Sequence, residues 1–451
     1  MEKNLIHKYN VPGPRYTSYP TVPYWDADFD YSQWEAAFSA AYRENGDQGV
    51  SLYIHLPFCE SMCTFCGCHK RITKNHAVEH PYVQAVLKEW RLYCQLLGDK
   101  PLVREIHLGG GTPTFFSVKN LEDLINGILS LARKSPDCDM SFEGHPNNTT
   151  REHLQKLYDL GFRRVSFGVQ DYSERVQKAI NRVQPYSNVA RVTMWARDMG
   201  YTSVSHDLIF GLPFQRVEDV VDTIEKTKAL CPDRIAFYSY AHVPWIKGNG
   251  QRGFKEDDIP KDGDKKILYE IGRRLLELHG YAEIGMDHFA LPYDALYKAF
   301  KSGDLHRNFM GYGTSATRMM IGLGVSSIGD SWYGFAQNTK DLEDYHQLLE
   351  WDKLPVVKGH LLTHEDLVIR QHILNLMCRF ETTWKEDHPL PQMPEIIASL
   401  HEMEADGLLR LGDRTLTVTE KGKGFVRNIC MAFDLRMKRK MPATQLFSMT
   451  V

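Results

Sequence analysis

Residues 51–71 read SLYIHLPFCESMCTFCGCHKR, and the rest of the chain is organised around them. Cys59, Cys63 and Cys66 stand at the spacing C-x3-C-x2-C, and Cys68 follows two residues later. Ser51–Leu56 reads as a buried strand ending at Pro57, so the cysteines sit on a loop leaving the end of a strand. Closely spaced soft thiolates suit zinc or an iron–sulfur cluster. Structural zinc usually takes a second ligand pair at a distance, and no such pair follows here. Three cysteines without a distant partner fit a four-iron cluster with one iron left open.

Downstream, apolar runs of strand and helix period alternate. The pattern predicts strands at Ser51–Leu56, Val103–Leu108, Met140–Glu143, Arg164–Val169, Thr202–Leu208 and Arg234–Tyr240. Between them it predicts helices at His80–Leu97, Asn120–Arg133, Arg151–Leu160, Ser173–Asn181, Asn188–Met199 and Val217–Ala229. Gly98 and Gly161 stand where two of the helices stop. Six strands alternating with helices argue for a parallel α/β sheet or barrel, whose chemistry belongs at the C-terminal ends of the strands. Cys59, Gly110, Glu143, Gln170, Asp207 and His242 are expected at those ends.

Residues 1–25 carry GPRYTSYPTVPYW, which reads as neither helix nor regular strand. Its density of Tyr, Trp and Pro argues for an ordered arm packed on the body rather than a tail. A short helix is expected over Tyr31–Tyr42, with Trp34, Phe38 and Tyr42 on one face. Residues 306–338 are rich in Gly and Ser, but Met319–Val325 is too apolar for a linker. Residues 363–438 read as a mostly helical unit in which a helix and a hairpin resemble a winged-helix element. The expected organisation is an arm (1–49), a barrel (50–290), an extension completing the active site (291–360) and a C-terminal domain (361–451).

The cysteine loop resembles the signature of the radical S-adenosylmethionine (SAM) superfamily, in which an aromatic residue, here Phe65, precedes the third cysteine. The resemblance implies a partial (β/α)6 barrel and a [4Fe-4S] cluster on Cys59, Cys63 and Cys66. The open iron of such a cluster takes the amino and carboxylate groups of SAM, and reduction releases a 5′-deoxyadenosyl radical. Gly109–Gly111, after the second strand, resembles the segment that approaches the SAM amino group, where missing side chains let backbone come close.

A narrower resemblance runs nearly end to end. GPRYTSYP, YIHLPFCESMCTFCGC, LGGGTPT, GVQD, NR, DLIFGLP, YAHVP, MDHFALP, LHRNF and RNICMAFD occur in that order. This is the order of the oxygen-independent coproporphyrinogen III oxidase (dehydrogenase) family. The family implies oxidative decarboxylation of two propionates of coproporphyrinogen III to vinyl groups in haem biosynthesis, with two SAM molecules held. It implies catalytic roles for Tyr53 and Cys68, the latter not a cluster ligand. Tyr53, Gly110, Glu143 and Ile328 match contacts to the first SAM. Phe65, Gly111, Thr112, Gln170, Arg182, Asp207 and Ala241 match contacts to the second, and Phe309 and Cys68 match further cofactor contacts. The arm residues Arg15, Tyr16 and Tyr19 are expected to help enclose the carboxylate-rich substrate. The chain departs from the family's RNFQGYTT at Met310 and Gly313, and from a common acidic residue at His145. Two relatives on the same scaffold stand as alternatives: a haem-carrying chaperone and a radical SAM enzyme that modifies or opens haem.

Composition is ordinary for a folded protein of 451 residues, 43% hydrophobic and 25% charged, which allows a large core and more than one domain. A net charge of −3 gives no basic field for nucleic acid. No apolar run of membrane-spanning length occurs, and the N-terminus lacks a signal-peptide core. The expectation is a cytoplasmic monomer with reduced thiols, served by an electron donor such as a flavodoxin or ferredoxin.

Overall fold

The computed structural model describes residues 2–450 apart from 99, 245–249, 252, 315–316, 386–389 and 441–445. The six expected strands form and lie side by side in chain order: β1 (Val50–Leu56), β2 (Leu102–Gly110), β3 (Arg133–Gly144), β4 (Arg164–Gln170), β5 (Ser203–Phe210) and β6 (Arg234–Ser239). Every neighbouring pair is parallel. Helices connect them, as parallel pairing demands. The helix after β2 stops at Ser130, short of the expected Arg133, which instead opens a longer β3.

The sheet runs further than six strands. A seventh parallel strand, β7 (Met320–Leu323), pairs with β1 and sets Gly322 opposite Tyr53. Antiparallel strands at Ile328–Asp330, Gly334–Asn338 and Val356–Leu361 continue beyond it. On the far side His288–Ala290 and Ala282–Gly285 continue from β6, also antiparallel. β7 shows only a four-residue apolar run, and its partner lies over 250 residues away, so periodicity alone could not reveal it.

Strand residues alternate between two environments. Leu52, Ile54, Ile106, Leu108, Phe142, Phe167 and Val204 are fully buried in the core that packs the sheet on its helices. The alternate positions line a polar lumen. There Ser51 Oγ donates to Glu105 at 2.8 Å, Arg164 Nε to Asp139 at 2.8 Å, and Arg234 Nε to Asp294 at 2.7 Å. Buried charges persist because each finds a partner.

The helix Glu79–Leu97 buries Tyr82, Val83, Val86 and Trp90, and it also holds the extension in place. Its Glu89 is fully buried and accepts hydrogen bonds from Gly324 N (2.8 Å), Asn338 Nδ2 (2.6 Å) and Tyr345 OH (2.6 Å).

The arm differs from expectation at its start, where Glu2–Tyr9 is an α-helix. The rest is irregular and docked. Arg427 donates to Gly13 O and Pro14 O, and Arg307 to Arg15 O and Tyr16 O. Tyr16 and Tyr19 are 2% and 1% exposed, in one core with Ile369, Ile373 and Phe433. The helix Tyr31–Asn45 forms with Trp34 and Phe38 buried. Helices His364–Arg379, Met393–Ala405 and Val426–Phe433 pack with a small antiparallel sheet of Glu381–Thr383, Leu409–Gly412 and Thr415–Val418. That is the expected helix-then-hairpin order, with one added strand.

Candidate active site

The cysteine loop leaves β1 at the C-terminal end of the sheet. Phe58–Cys59 pairs with Arg71–Ile72, which closes the loop into a small lobe. Cys63 is buried, Cys59 and Cys66 are half-buried and Cys68 is exposed. Thr112 Oγ1 lies 3.3 Å from Cys59 Sγ, and Arg182 Nη1 donates toward Cys63 Sγ at 3.8 Å. Pairing with Cys68 and the nearby Lys70 charge lower the Cys66 thiol, while the same pairing raises the Cys68 thiol. Lys70 Nζ also donates to Cys66 O and Cys68 O.

Among the described residues, no three His, Cys, Asp or Glu side chains converge to hold a single metal ion. A four-iron cluster needs less convergence, since each thiolate binds its own iron. Three thiols on one loop, with a hydroxyl and a guanidinium turned toward two of the sulfurs, fit such a cluster.

The glycine turn lies directly against this loop. Gly111 N donates to Leu56 O at 2.8 Å and Thr112 N to Phe58 O at 3.0 Å. A Cβ on Gly111 would stand 2.6 Å from the backbone of Pro57, and one on Gly110, where φ is +112°, 2.7 Å from the His55 ring. Gly110 N donates to Glu143 Oε2 at 3.3 Å, and His107 Nε2 lies 3.5 Å from the other oxygen. Glu143 therefore ends β3 as a half-exposed acceptor beside bare backbone, an arrangement able to bind an ammonium group.

Tyr53 stands on β1 between His55, 3.0 Å away at Nδ1, and the stacked ring of His107. Burial holds His55 down to about 4, so it is neutral at physiological pH. Gly322 and Ile328 close the β1 side, with backbones too close to admit a Cβ on Gly322. Opposite, Arg182 Nη2 donates to Gly168 O at 2.6 Å. Gln170 sits at φ +70° where the register between β4 and β5 skips Val169 and pairs Gln170 with Leu208. Ser166 Oγ donates to Asp207 Oδ1 at 2.8 Å, and burial pushes that carboxyl up to about 7, with the Glu143 charge adding. Asp207 lies inside β5, one layer below the strand end where it was expected.

Ala241 and Phe65 are joined through a residue the sequence did not mark. Buried Gln251 donates from Nε2 to Phe65 O (3.1 Å) and Ala241 O (3.0 Å), tying the cysteine loop to the chain after β6. A cavity of about 130 Å³ occupies the lumen, reached by Glu143, Asp207, Tyr238, His288 and Met310. Phe309 packs edge-on against Phe335, and it is the adjacent Met310 that faces the lumen. Arg15 Nη1 donates to Asp287 at 2.7 Å and Nη2 to Ser239 O at 3.0 Å. Tyr16 and Tyr19, expected to help enclose the substrate, are buried in the C-terminal core and anchor the arm instead of lining the lumen; Tyr16 OH donates to Asp434. His55, His107, Tyr238 and His288 were also missed. A period-two polar pattern, Ser51-Tyr53-His55 and Glu105-His107, is the signal that marks the first two.

Comparison with known proteins agrees with this geometry. Residues 53–227 match the Radical SAM superfamily. Oxygen-independent coproporphyrinogen III oxidase of Synechocystis is 37% identical, covering 99% of this chain and 97% of its own length. The enzyme so named from Escherichia coli is 36% identical over 97% of this chain and 95% of its own. The solved coproporphyrinogen III oxidase from Escherichia coli, described as a radical SAM enzyme, superposes with a TM-score of 0.88 at 34% identity, over 93% of this chain and 97% of that one. The thiol loop, the glycine turn and the polar lumen are thus those of a known fold carried end to end, and the chain belongs to the oxygen-independent coproporphyrinogen III oxidase family of radical SAM enzymes.

Proposed function

We propose that this chain oxidatively decarboxylates two propionate side chains of coproporphyrinogen III, giving protoporphyrinogen IX, with a [4Fe-4S] cluster and two SAM molecules as cofactors. Near-full-length similarity to enzymes named for this substrate carries the reading. When bound, the cluster and SAM supply a 5′-deoxyadenosyl radical able to take a hydrogen atom from carbon.

The chain's own residues bind, orient and enclose. Cys59, Cys63 and Cys66 hold the irons, with Thr112 and Arg182 turned toward two of the sulfurs. Tyr53, Gly110, Glu143 and Ile328 form the near side of the SAM site, and Gly111 and Thr112 belong with the far side. Phe65, Gln170, Arg182, Asp207 and Ala241 form the far side. Cys68, exposed beside Cys66, is available to the reaction rather than to the cluster. Arg15, held on the outer face of the wall by Asp287 and Ser239, fixes the arm in place, and the docked arm excludes water from a radical site. The reading includes a one-electron donor, flavodoxin or ferredoxin, and a monomeric chain working in the cytoplasm. No described helix is long and apolar enough to cross a membrane.

The test is anaerobic turnover with coproporphyrinogen III, SAM and a strong reductant, read by mass spectrometry. Loss of two carboxyl groups per substrate, with 5′-deoxyadenosine formed, is expected. SAM cleavage with every propionate intact refutes it.

A further inference from the structure

A second cavity lies on the outer face of the wall whose inner face lines the lumen. Strand alternation separates the two: Tyr238 faces in and Ser239 out, and across the turn His288 faces in and Asp287 out. This open crevice lies between the helix Asp262–Leu278, the arm and the helix Val426–Phe433. Phe210, Tyr269 and Phe425 give it apolar, aromatic walls.

Its charges are unbalanced. Each carboxylate on the wall already has a partner. Asp287 takes Arg15 at 2.7 Å, Glu270 takes Arg273 at 2.9 Å, and Glu283 accepts from Tyr269 OH at 2.8 Å. The cations are less well matched. Arg427 is 6% exposed and donates to the carbonyls of Gly13, Pro14, Met449 and Thr450, with no carboxylate among them. Burial and the neighbouring Arg15 charge draw its guanidinium down to about 9, with the Asp287 charge opposing them. Lys266 lies 5.5 Å over the Phe425 ring, and among the described residues no carboxylate pairs with it. Among the described residues Lys423 pairs with Glu420 alone, which is 88% exposed. A buried cation, two lysines and aromatic walls make a place for a flat apolar body carrying carboxylates.

We infer that this crevice is a second tetrapyrrole site, binding a carboxylate-bearing porphyrin or porphyrinogen outside the catalytic lumen. The ligand class rests on the proposed function, since substrate and product share this chemistry, four carboxylates on one and two on the other. Bound there, a tetrapyrrole lies one strand's thickness from the lumen, where it holds substrate waiting to enter or product that has left.

Porphyrin fluorescence titrations test this, with the cluster-loaded chain and coproporphyrin III, protoporphyrin IX or the tetramethyl ester of coproporphyrin. Wild type should bind two free-acid porphyrins per chain. Lys266→Glu, and Lys266→Glu combined with Lys423→Glu, should weaken one of the two sites at least tenfold while leaving melting temperature and first-turnover decarboxylation unchanged. The ester should show no dependence on either substitution. Tighter binding of coproporphyrin marks a substrate antechamber, and tighter binding of protoporphyrin a product site. Equal affinity and stoichiometry in wild type and both variants overturns the inference, as does a single bound porphyrin that Met310→Trp displaces from the lumen. Lysine-dependent binding without any decarboxylation would count against the proposed function and leave the crevice standing.

Discussion

Gly111→Ala puts one carbon where the structure has no room. The added Cβ would lie 2.6 Å from Pro57 C and O and 2.9 Å from Phe58 O, whereas ordinary contact begins at 3.4 Å. These neighbours are backbone, so no rotamer change relieves the overlap, and the turn must move by roughly 0.8 Å to restore contact distance. That movement pulls on Thr112, whose amide reaches Phe58 O at 3.0 Å and whose hydroxyl lies 3.3 Å from Cys59 Sγ. A shift approaching 1 Å beside reacting groups costs about 10²-fold in rate, and overpacking costs about 1–3 kcal/mol of stability. The assay is anaerobic formation of 5′-deoxyadenosine and decarboxylated product, beside melting temperature and cluster absorbance. Gly263→Ala is the control, because its Cβ meets nothing within 4 Å and alanine favours the helix it opens. Wild-type turnover and stability in Gly111→Ala would refute the argument that backbone contact between turn and loop positions the site.

Cys63→Ser should lose both the cluster and SAM cleavage, whereas Cys68→Ser should keep four irons and lose decarboxylation; equal iron content in the two variants sinks the division of roles. Gln251→Ala removes both hydrogen bonds that join Phe65 O to Ala241 O, so SAM affinity should fall about tenfold with iron content intact, as expected for leaving buried carbonyls unpaired; unchanged SAM binding in a titration would show the bridge to be idle. Asp366 gives a pH prediction: burial alone would raise its carboxyl, but His360 Nε2 3.5 Å away and hydrogen bonds from Arg436 and Thr363 hold it well below the ordinary range. Its stabilisation is present above the unfolded value of about 3.9 and is lost as pH falls below it. Asp366→Asn should cost about 3–5 kcal/mol at pH 7 and flatten the stability profile below pH 4 in urea titrations, and an unchanged acid limb counts against the pair.

Much of this protein was legible in the chain alone because the relevant signals are local. The spacing of Cys59, Cys63 and Cys66 puts three thiols on one loop whatever surrounds it, and the glycines at 109–111 mark a close approach before any neighbour is known. Helix and strand period found the six parallel strands, since each buries one side against helices. Tertiary structure decided what depends on distant pairing. β7 exists because Gly322 admits the backbone of Ile328 beside Tyr53, a contact between segments over 250 residues apart. Tyr16 and Tyr19 stand beside Arg15 in sequence, yet the C-terminal core takes the two rings while the guanidinium alone reaches the barrel rim, because only the charged group finds Asp287 there. The bridge from Gln251 and the buried charge of Arg427 likewise carry no local pattern. A glutamine or an arginine looks the same in any sequence until folding removes water and decides which carbonyls and charges remain to meet it.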